Sequence, residues 1–266
     1  MTPSRSLLFA LCFALLACVA PASADTPRGW APPGGWGPAS GPLSDVAPFA
    51  SSAAARRVPI GCKRGGDAFR TNGPRTKKVV ALTFDDGPSI YTTQVISVLV
   101  KQKAKGTFFV LGQNVPGSER QLQRELALGF EIGNHSFNHP QYPAAGQLSR
   151  TTERIQRAAN YTPCLFRPPY GAVNRSLIGR ARAQRMMTIN WDVDPRDWAT
   201  PGSGAIYSRI VNNTRPGSII LMHDGGGPRG QTVAALPNVI RTLRVRGYEL
   251  ATVSELLGHK FVYADE

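Results

Sequence analysis

Asp85 and Asp86 stand side by side in T-F-D-D-G-P at residues 83–88. On extended backbone, neighbouring side chains point to opposite faces. One carboxylate can then reach a cation while the other faces a second reactant. Gly87-Pro88 forces a turn immediately afterwards. Capping of a following helix is the competing use of such a pair. His135 and His139 bracket H-S-F-N-H, and a spacing of four on a helical turn puts two imidazoles on one face. Two such nitrogens and one carboxylate make a three-donor metal site with an open position. Zn²⁺ suits this donor set best, with Co²⁺ or another divalent ion as an alternative. Ser136, rather than Glu, follows the first histidine, which excludes the H-E-x-x-H pattern of a zinc protease.

Three further stretches supply the remaining groups. Arg167 opens R-P-P-Y at residues 167–170. Its permanent charge can hold a nearby carboxylate ionised and oriented, or it forms a simple ion pair in a surface loop. Pro168-Pro169 stiffen the chain before Tyr170, so the Tyr170 N–H is a candidate oxyanion donor. Asp194 and Asp197 lie in D-P-R-D-W at residues 194–198, and His223 closes L-M-H at residues 221–223. A histidine beside a carboxylate has its protonated form stabilised and can donate a proton near neutral pH. A satisfied histidine at a strand end is the alternative reading. His259 lies outside every motif and is expected at the surface.

The elements that must position these residues follow from periodicity. Strands are expected near 79–84, 106–111, 131–133, 165–167, 187–191, 218–222 and 248–252. Helices are expected at 92–103, 119–128, 148–159, 175–184, 205–213 and 233–246. Such alternation predicts parallel strands joined by helical crossovers. The motifs then all fall at the carboxyl ends of strands, the rim on which barrels of this kind build their sites.

Residues 1–24 read as an export signal: Arg5, an apolar run from Leu7 to Val19, and Ala22-Ser23-Ala24 as a cleavage site. A lipid anchor on Cys18, after Leu15-Leu16-Ala17, is the second reading of the same segment. Residues 25–76 are rich in Pro, Gly, Ser and Ala and read as a flexible linker. A folded domain is expected at 77–258 and a short tail at 259–266. No membrane span is expected after cleavage. Export leaves Cys62 and Cys164, which could pair in an oxidising compartment or remain two buried thiols. Loop entropy gives such a bridge roughly 4–5 kcal/mol for a loop of about 100 residues. The net charge of +14 is spread along the chain. It favours anionic surroundings such as wall polymers, and no nucleic-acid-binding motif accompanies it.

Taken together, the five motifs are similar in content and order to the polysaccharide deacetylases of the NodB-homology group, carbohydrate esterase family 4. The resemblance covers about residues 77–258. It implies a distorted (β/α) barrel of seven or eight mostly parallel strands, and metal-assisted removal of acetyl groups from an N-acetylglucosamine glycan. It implies Asp85 as general base, and Asp86, His135 and His139 as metal ligands. Arg167 would pair with Asp85, Tyr170 would give the oxyanion N–H, and Asp197 would tune His223 as general acid. Trp198 and Leu221 would wall the acetyl pocket. A monomer acting on an acetylated glycan is expected. An O-acetyl esterase acting on xylan and a catalytically silent wall-binding protein are the alternatives. Asp192 and Asp194 have no role in this scheme.

Overall fold

The computed structural model describes residues 57–63 and 66–264. The expected leader at 1–24, with Cys18, and the linker as far as residue 56 lie outside the described residues. The first strands are β1 (Gly61–Lys63), β2 (Phe69–Arg70) and β3 (Val79–Asp85). Helices then alternate with strands: α1 (Ile90–Lys101), β4 (Thr107–Val110), α2 (Glu119–Ala127), β5 (Glu131–Asn134), α3 (Ala145–Ala159) and β6 (Leu165–Phe166). After these come α4 (Arg175–Ala183), β7 (Met187–Ile189), α5 (Ser203–Asn213), β8 (Ile219–His223) and α6 (Gly230–Val245). The chain closes with β9 (Glu249–Ala251), α7 (Val253–Leu257) and β10 (Lys260–Val262).

Eight strands form one sheet in the order β2-β7-β6-β5-β4-β3-β8, with β9 also paired to β3. All of these pairings are parallel. The sheet curls until its two edges touch. Asn72, past β2, bridges Ser218, and Val193, past β7, bridges Ile220 of β8. Single bridges rather than a continuous ladder join that seam, so the barrel is distorted.

The period of two along the strands sorts side chains between two layers. Leu82, Phe84, Phe108 and Ile220 face outward into a core shared with Val95, Ile96 and Leu99 of α1 and Leu236, Val239 and Ile240 of α6. Ala81, Phe109, Leu165 and Ile219 face the other way, against Val253 and Leu256 of α7. Thr83 and Asp85 share the alternation of Ala81, so Asp85 is carried on the inner face at the carboxyl end of β3. Burial on both faces explains why β3 reads V-V-A-L-T-F-D without an alternating polar position.

Two boundaries differ from the sequence expectation. The stretch read as linker to residue 76 contains β1 and β2, and the stretch read as a tail from 259 contains β10. β1 and β10 pair antiparallel, with Gly61 opposite Val262, and β2 pairs with β7. These strands are only two or three residues long. Their pairing comes from partners distant in sequence, so no local periodicity announces them. His259 is buried at 8% exposure, not at the surface, and its N–H bonds to Ser254 O at 2.8 Å. Cys62 and Cys164 form a disulfide that ties β1 to the residue preceding β6. No helix among the described residues is long and apolar enough to cross a membrane.

Candidate metal centre and active site

Register brings the first and last motifs of the chemistry together. β3 and β8 pair so that Asp85 lies opposite His223. Asp85 is buried at the strand end, and Asp86 leaves the strand with φ 73°. Aspartate tolerates this left-handed conformation better than most residues. The turn alters the expected divergence of the pair. Asp85 Oδ2 lies 3.8 Å and Asp86 Oδ1 lies 3.4 Å from the same atom, His135 Nε2. A glycine-rich loop makes room for the turn: a Cβ on Gly226, itself at φ 68°, would stand 2.3 Å from Asp86 Oδ2.

His135 and His139 follow β5 on an irregular loop rather than on the expected helical turn. Ser136 at φ 72° and His139 at φ 63° are both left-handed. Asn134 pins the loop: its Oδ1 accepts from Ser136 N at 2.9 Å, and its Nδ2 donates to Leu148 O at 2.8 Å. His139 N donates to Ser136 Oγ at 3.2 Å. The convergence of imidazoles survives this change of backbone. His139 Nε2 lies 3.5 Å from Asp86 Oδ1, beside His135 Nε2. A spacing of four therefore serves a compact loop as well as it would serve a helix.

Asp86, His135 and His139 each offer a donor atom, and these atoms lie within 4.8 Å of one another. Asp86 Oδ1 is buried and has no hydrogen-bond partner. A buried carboxylate oxygen left unpaired among nitrogen donors is costly, and a cation at their centre removes that cost. The donor set of two imidazoles and one carboxylate fits a borderline divalent ion. His135 Nδ1 donates to the Arg167 carbonyl at 2.7 Å, since a carbonyl can only accept. That fixes the tautomer and leaves the Nε2 lone pair for a metal.

The electrostatics agree. Burial opposes ionisation of Asp86, but His135 and the charges of His223 and His139 prevail and hold it well below the usual carboxylate range. Burial likewise opposes a charged His135, yet Asp85 and Asp86 outweigh it and raise its proton affinity. A field that holds a proton at that spot is a field that holds a cation. His139 is pushed down by burial and by His135.

Arg167 is fully buried just past β6. Its Nη1 donates to Asp85 Oδ1 and to Thr83 Oγ1, each at 2.7 Å. Nε and Nη2 donate to the carbonyls of Ile189 and Asn190 at 3.3 Å, and the guanidinium lies 4.1 Å over the Phe109 ring. One Asp85 oxygen is thereby committed and the other faces the cavity side. Across the site, His223 Nδ1 donates to Asp197 Oδ1 at 2.7 Å. Asp197 is fully buried, and its Oδ2 accepts from His223 N and from Thr232 Oγ1, both at 2.8 Å. Burial alone would lower the His223 pKa, but the hydrogen bond and charge of Asp197 raise it.

Asp85, Asp86, His135, His139 and His223 line a cavity of about 640 Å³, together with Tyr170, Trp198 and Leu221, while Arg167 and Asp197 stand behind Asp85 and His223. Tyr170 sits in the short turn Pro169–Gly171 with φ 59° and ψ 12°, and its ring meets His139 edge-on at 4.5 Å. Every site residue expected from sequence, the two cysteines aside, reaches this cavity or hydrogen-bonds a residue that does. Several contributors fall outside the sequence expectation. Thr83 stands two residues before Asp85 on the same strand face, which is the signal for it. Thr232 gives none, because it arrives from α6. Leu111, Trp191 and Arg229 also line the cavity. Asp194 lines it too and accepts from Arg196 N at 2.7 Å. Asp192 instead clamps the barrel seam, accepting from Arg75, Ser218 and Ile219.

Comparison with known proteins gives consistent results. The polysaccharide deacetylase family model matches residues 72–189. A peptidoglycan-N-acetylglucosamine deacetylase of Bacillus cereus is 40% identical over 196 residues, covering 70% of this chain and 92% of that one. Among solved structures, the Bc1960 peptidoglycan N-acetylglucosamine deacetylase superposes with a TM-score of 0.71 at 32% identity, covering 73% of this chain and 95% of that one. BA3943 from Bacillus anthracis, described as a CE4 family pseudoenzyme, superposes with a TM-score of 0.66 at 30% identity, covering 71% and 68%. The fold alone therefore does not decide activity, and the residues at the rim must. A relative this similar over nine-tenths of its length, together with five motifs assembled around one cavity, leaves a single assignment of kinship: the chain belongs to the polysaccharide deacetylase family.

Proposed function

We propose that this chain is an exported, metal-dependent hydrolase that removes N-acetyl groups from an N-acetylglucosamine glycan such as peptidoglycan or chitin. The observation that carries the proposal is the convergence of Asp86, His135 and His139 within 4.8 Å, with Asp85 alongside and the His223–Asp197 pair nearby. The relatives named as peptidoglycan deacetylases support the substrate class. The positive charge of +14 supports residence among anionic wall polymers.

A divalent ion held by Asp86, His135 and His139, Zn²⁺ by donor type with Co²⁺ as the alternative, would supply Lewis acidity toward the acetyl carbonyl and the attacking water. Asp85, with Oδ1 fixed by Arg167, takes the proton of that water on Oδ2. Tyr170 lines the cavity, and its N–H would serve as the donor to the developing oxyanion. Trp198 and Leu221 enclose the acetyl methyl, Leu221 being buried and Trp198 half exposed. His223, kept protonated by Asp197, gives its proton to the departing nitrogen. Acetate and a free amine result.

The buried Asp197 argues for an amide rather than an ester substrate. An amine leaves only when protonated, whereas an ester's alkoxide needs less help. A triad of His223, Asp197 and Thr232 organised to keep one proton available is the provision an amide requires. The pseudoenzyme reading is disfavoured because Asp85, Asp86, His135, His139 and His223 are all present and assembled. Acetate release should be measured on acetylated peptidoglycan, chitin oligomers and acetylated xylan, each with and without chelator. Chelator-sensitive release from the first two supports the proposal. Release confined to xylan, or none from any glycan, contradicts it.

A further inference from the structure

The disulfide lies at the amino-terminal rim of the sheet, the end opposite the candidate active site. Cys164 precedes β6, while Glu131 opens β5, Thr107 opens β4, and Ser254 lies at the start of α7. Cys62 Sγ, Cys164 Sγ and a Glu131 carboxylate oxygen stand within 4.8 Å of one another. Glu131 is fully buried. Its carboxyl accepts from Ser254 N at 3.0 Å, from Ser254 Oγ, and from Thr107 Oγ1 at 3.2 Å.

The two sulfurs have unequal surroundings. Cys62 is partly exposed and lines a second cavity of about 650 Å³, whereas Cys164 is 2% exposed. Two donors point at Cys62 Sγ: the Cys164 N–H at 3.1 Å and the Tyr161 O–H at 3.4 Å. Donors of that kind stabilise a thiolate. Glu131 Oε1 itself lies 4.0 Å from Cys62 Sγ, while Cys164 Sγ meets the same acid through Ser254 Oγ, 3.8 Å away and hydrogen-bonded to Glu131. A hydroxyl therefore links the buried sulfur to a buried acid. Burial raises the Glu131 pKa to about 7, so a proton is available there near neutrality. Its three hydrogen bonds offset the cost of burying Glu131 and tie α7 and β4 to β5, and they hold the acid at a fixed place beside both sulfurs.

We propose that Cys62–Cys164 is a thiol–disulfide exchange site whose reductant is a dithiol, with Cys62 as the attacked sulfur and Glu131 as proton source for Cys164. A reductant thiolate attacks Cys62 Sγ, forming a mixed disulfide and breaking the Cys62–Cys164 bond. Cys164 leaves as a thiolate and takes the Glu131 proton through the Ser254 hydroxyl. The second thiol of the reductant returns a proton to Glu131 and attacks the mixed disulfide. Cys62 departs as a thiolate held by Tyr161 O–H and Cys164 N–H, and the reductant leaves as its own disulfide. Two electrons pass to the protein, and Glu131 ends as it began. β6, two residues long, is all that separates Cys164 from Arg167.

The test uses the full chain in its metal-loaded form. Excess dithiol is added in native buffer, samples are quenched by alkylation, and Cys62 and Cys164 are followed by peptide mass mapping. Reduction should rise in proportion to dithiol concentration and outpace global unfolding monitored by tryptophan fluorescence. The trapped adduct should sit on Cys62. Glu131→Gln and Ser254→Ala should each slow reduction by about tenfold or more. Once the bridge is reduced, Tyr161→Phe should slow alkylation of Cys62 but not of Cys164. Should Glu131→Gln fail to fold, Ser254→Ala and Tyr161→Phe carry the test. Reduction at the unfolding rate regardless of dithiol, adducts chiefly on Cys164, or wild-type rates in the foldable variants would overturn the proposal.

Discussion

The main-chain carbonyl of Arg167 accepts from His135 Nδ1 at 2.7 Å, while the guanidinium of the same residue donates to Asp85 Oδ1 at 2.7 Å. One buried residue thus sets the tautomer of a proposed metal ligand and the orientation of the proposed base. The backbone contact survives any side-chain substitution and the ion pair does not, so the two roles can be separated by mutation. Arg167→Lys should retain metal but lose activity, because a point charge cannot reach Asp85, Thr83 and two carbonyls together. Arg167→Ala should also unfold more readily, by about 3–5 kcal/mol, since a buried carboxylate loses its partner. Chemical denaturation and metal content measure the two effects. Unchanged activity in Arg167→Lys would contradict the assignment.

Asp85→Asn should lower acetate release by about 10²–10⁴ with metal stoichiometry unchanged. The carboxamide keeps the shape but cannot take a proton. Loss of the metal in this variant would mean that Asp85 is a ligand rather than a base.

The proton donor predicts a pH profile. Asp197 raises the His223 pKa, so the active acid form persists above the ordinary imidazole range and activity falls only beyond it. Asp197→Asn removes that charge. The alkaline limb of kcat/KM should then move to lower pH. A limb that stays in place would remove His223 from the role of acid.

Gly226→Ala tests the close packing of the glycine loop on Asp86. The added Cβ would stand 2.3 Å from Asp86 Oδ2, and the backbone is at φ 68°. Metal affinity should fall by about 10- to 100-fold, the range seen when the surroundings of a ligand are disturbed. Calorimetric metal titration measures it. Wild-type affinity would show that the loop yields freely.

Long apolar runs make much of this architecture legible in the sequence. β3, β8 and the helices at 90–101, 119–127 and 175–183 fall within a few residues of their expected positions, because burial on one or two faces writes itself into local composition. The seams are less legible. β1, β2 and β10 hold two or three residues each, and what stabilises them lies far along the chain. α7 is too short for periodicity to reveal, although Thr252 and Glu255 form a capping box that does mark its start. The chain at His135–His139 shows another limit. Spacing determines which side chains converge, but Asn134 and two left-handed residues decide the backbone that brings them together. Glu131 carries no signal at all, since a lone glutamate opening a strand does not announce burial beside a disulfide.

The most direct measurement is acetate release from acetylated peptidoglycan by wild-type protein and His135→Ala, each stripped by chelator and then resupplied with one equivalent of Zn²⁺. The wild type should bind one ion and regain activity, while His135→Ala should bind none tightly and stay silent. Full release from the stripped wild type, or a His135→Ala variant that binds and works like the parent, would contradict a reaction centred on Asp86, His135 and His139.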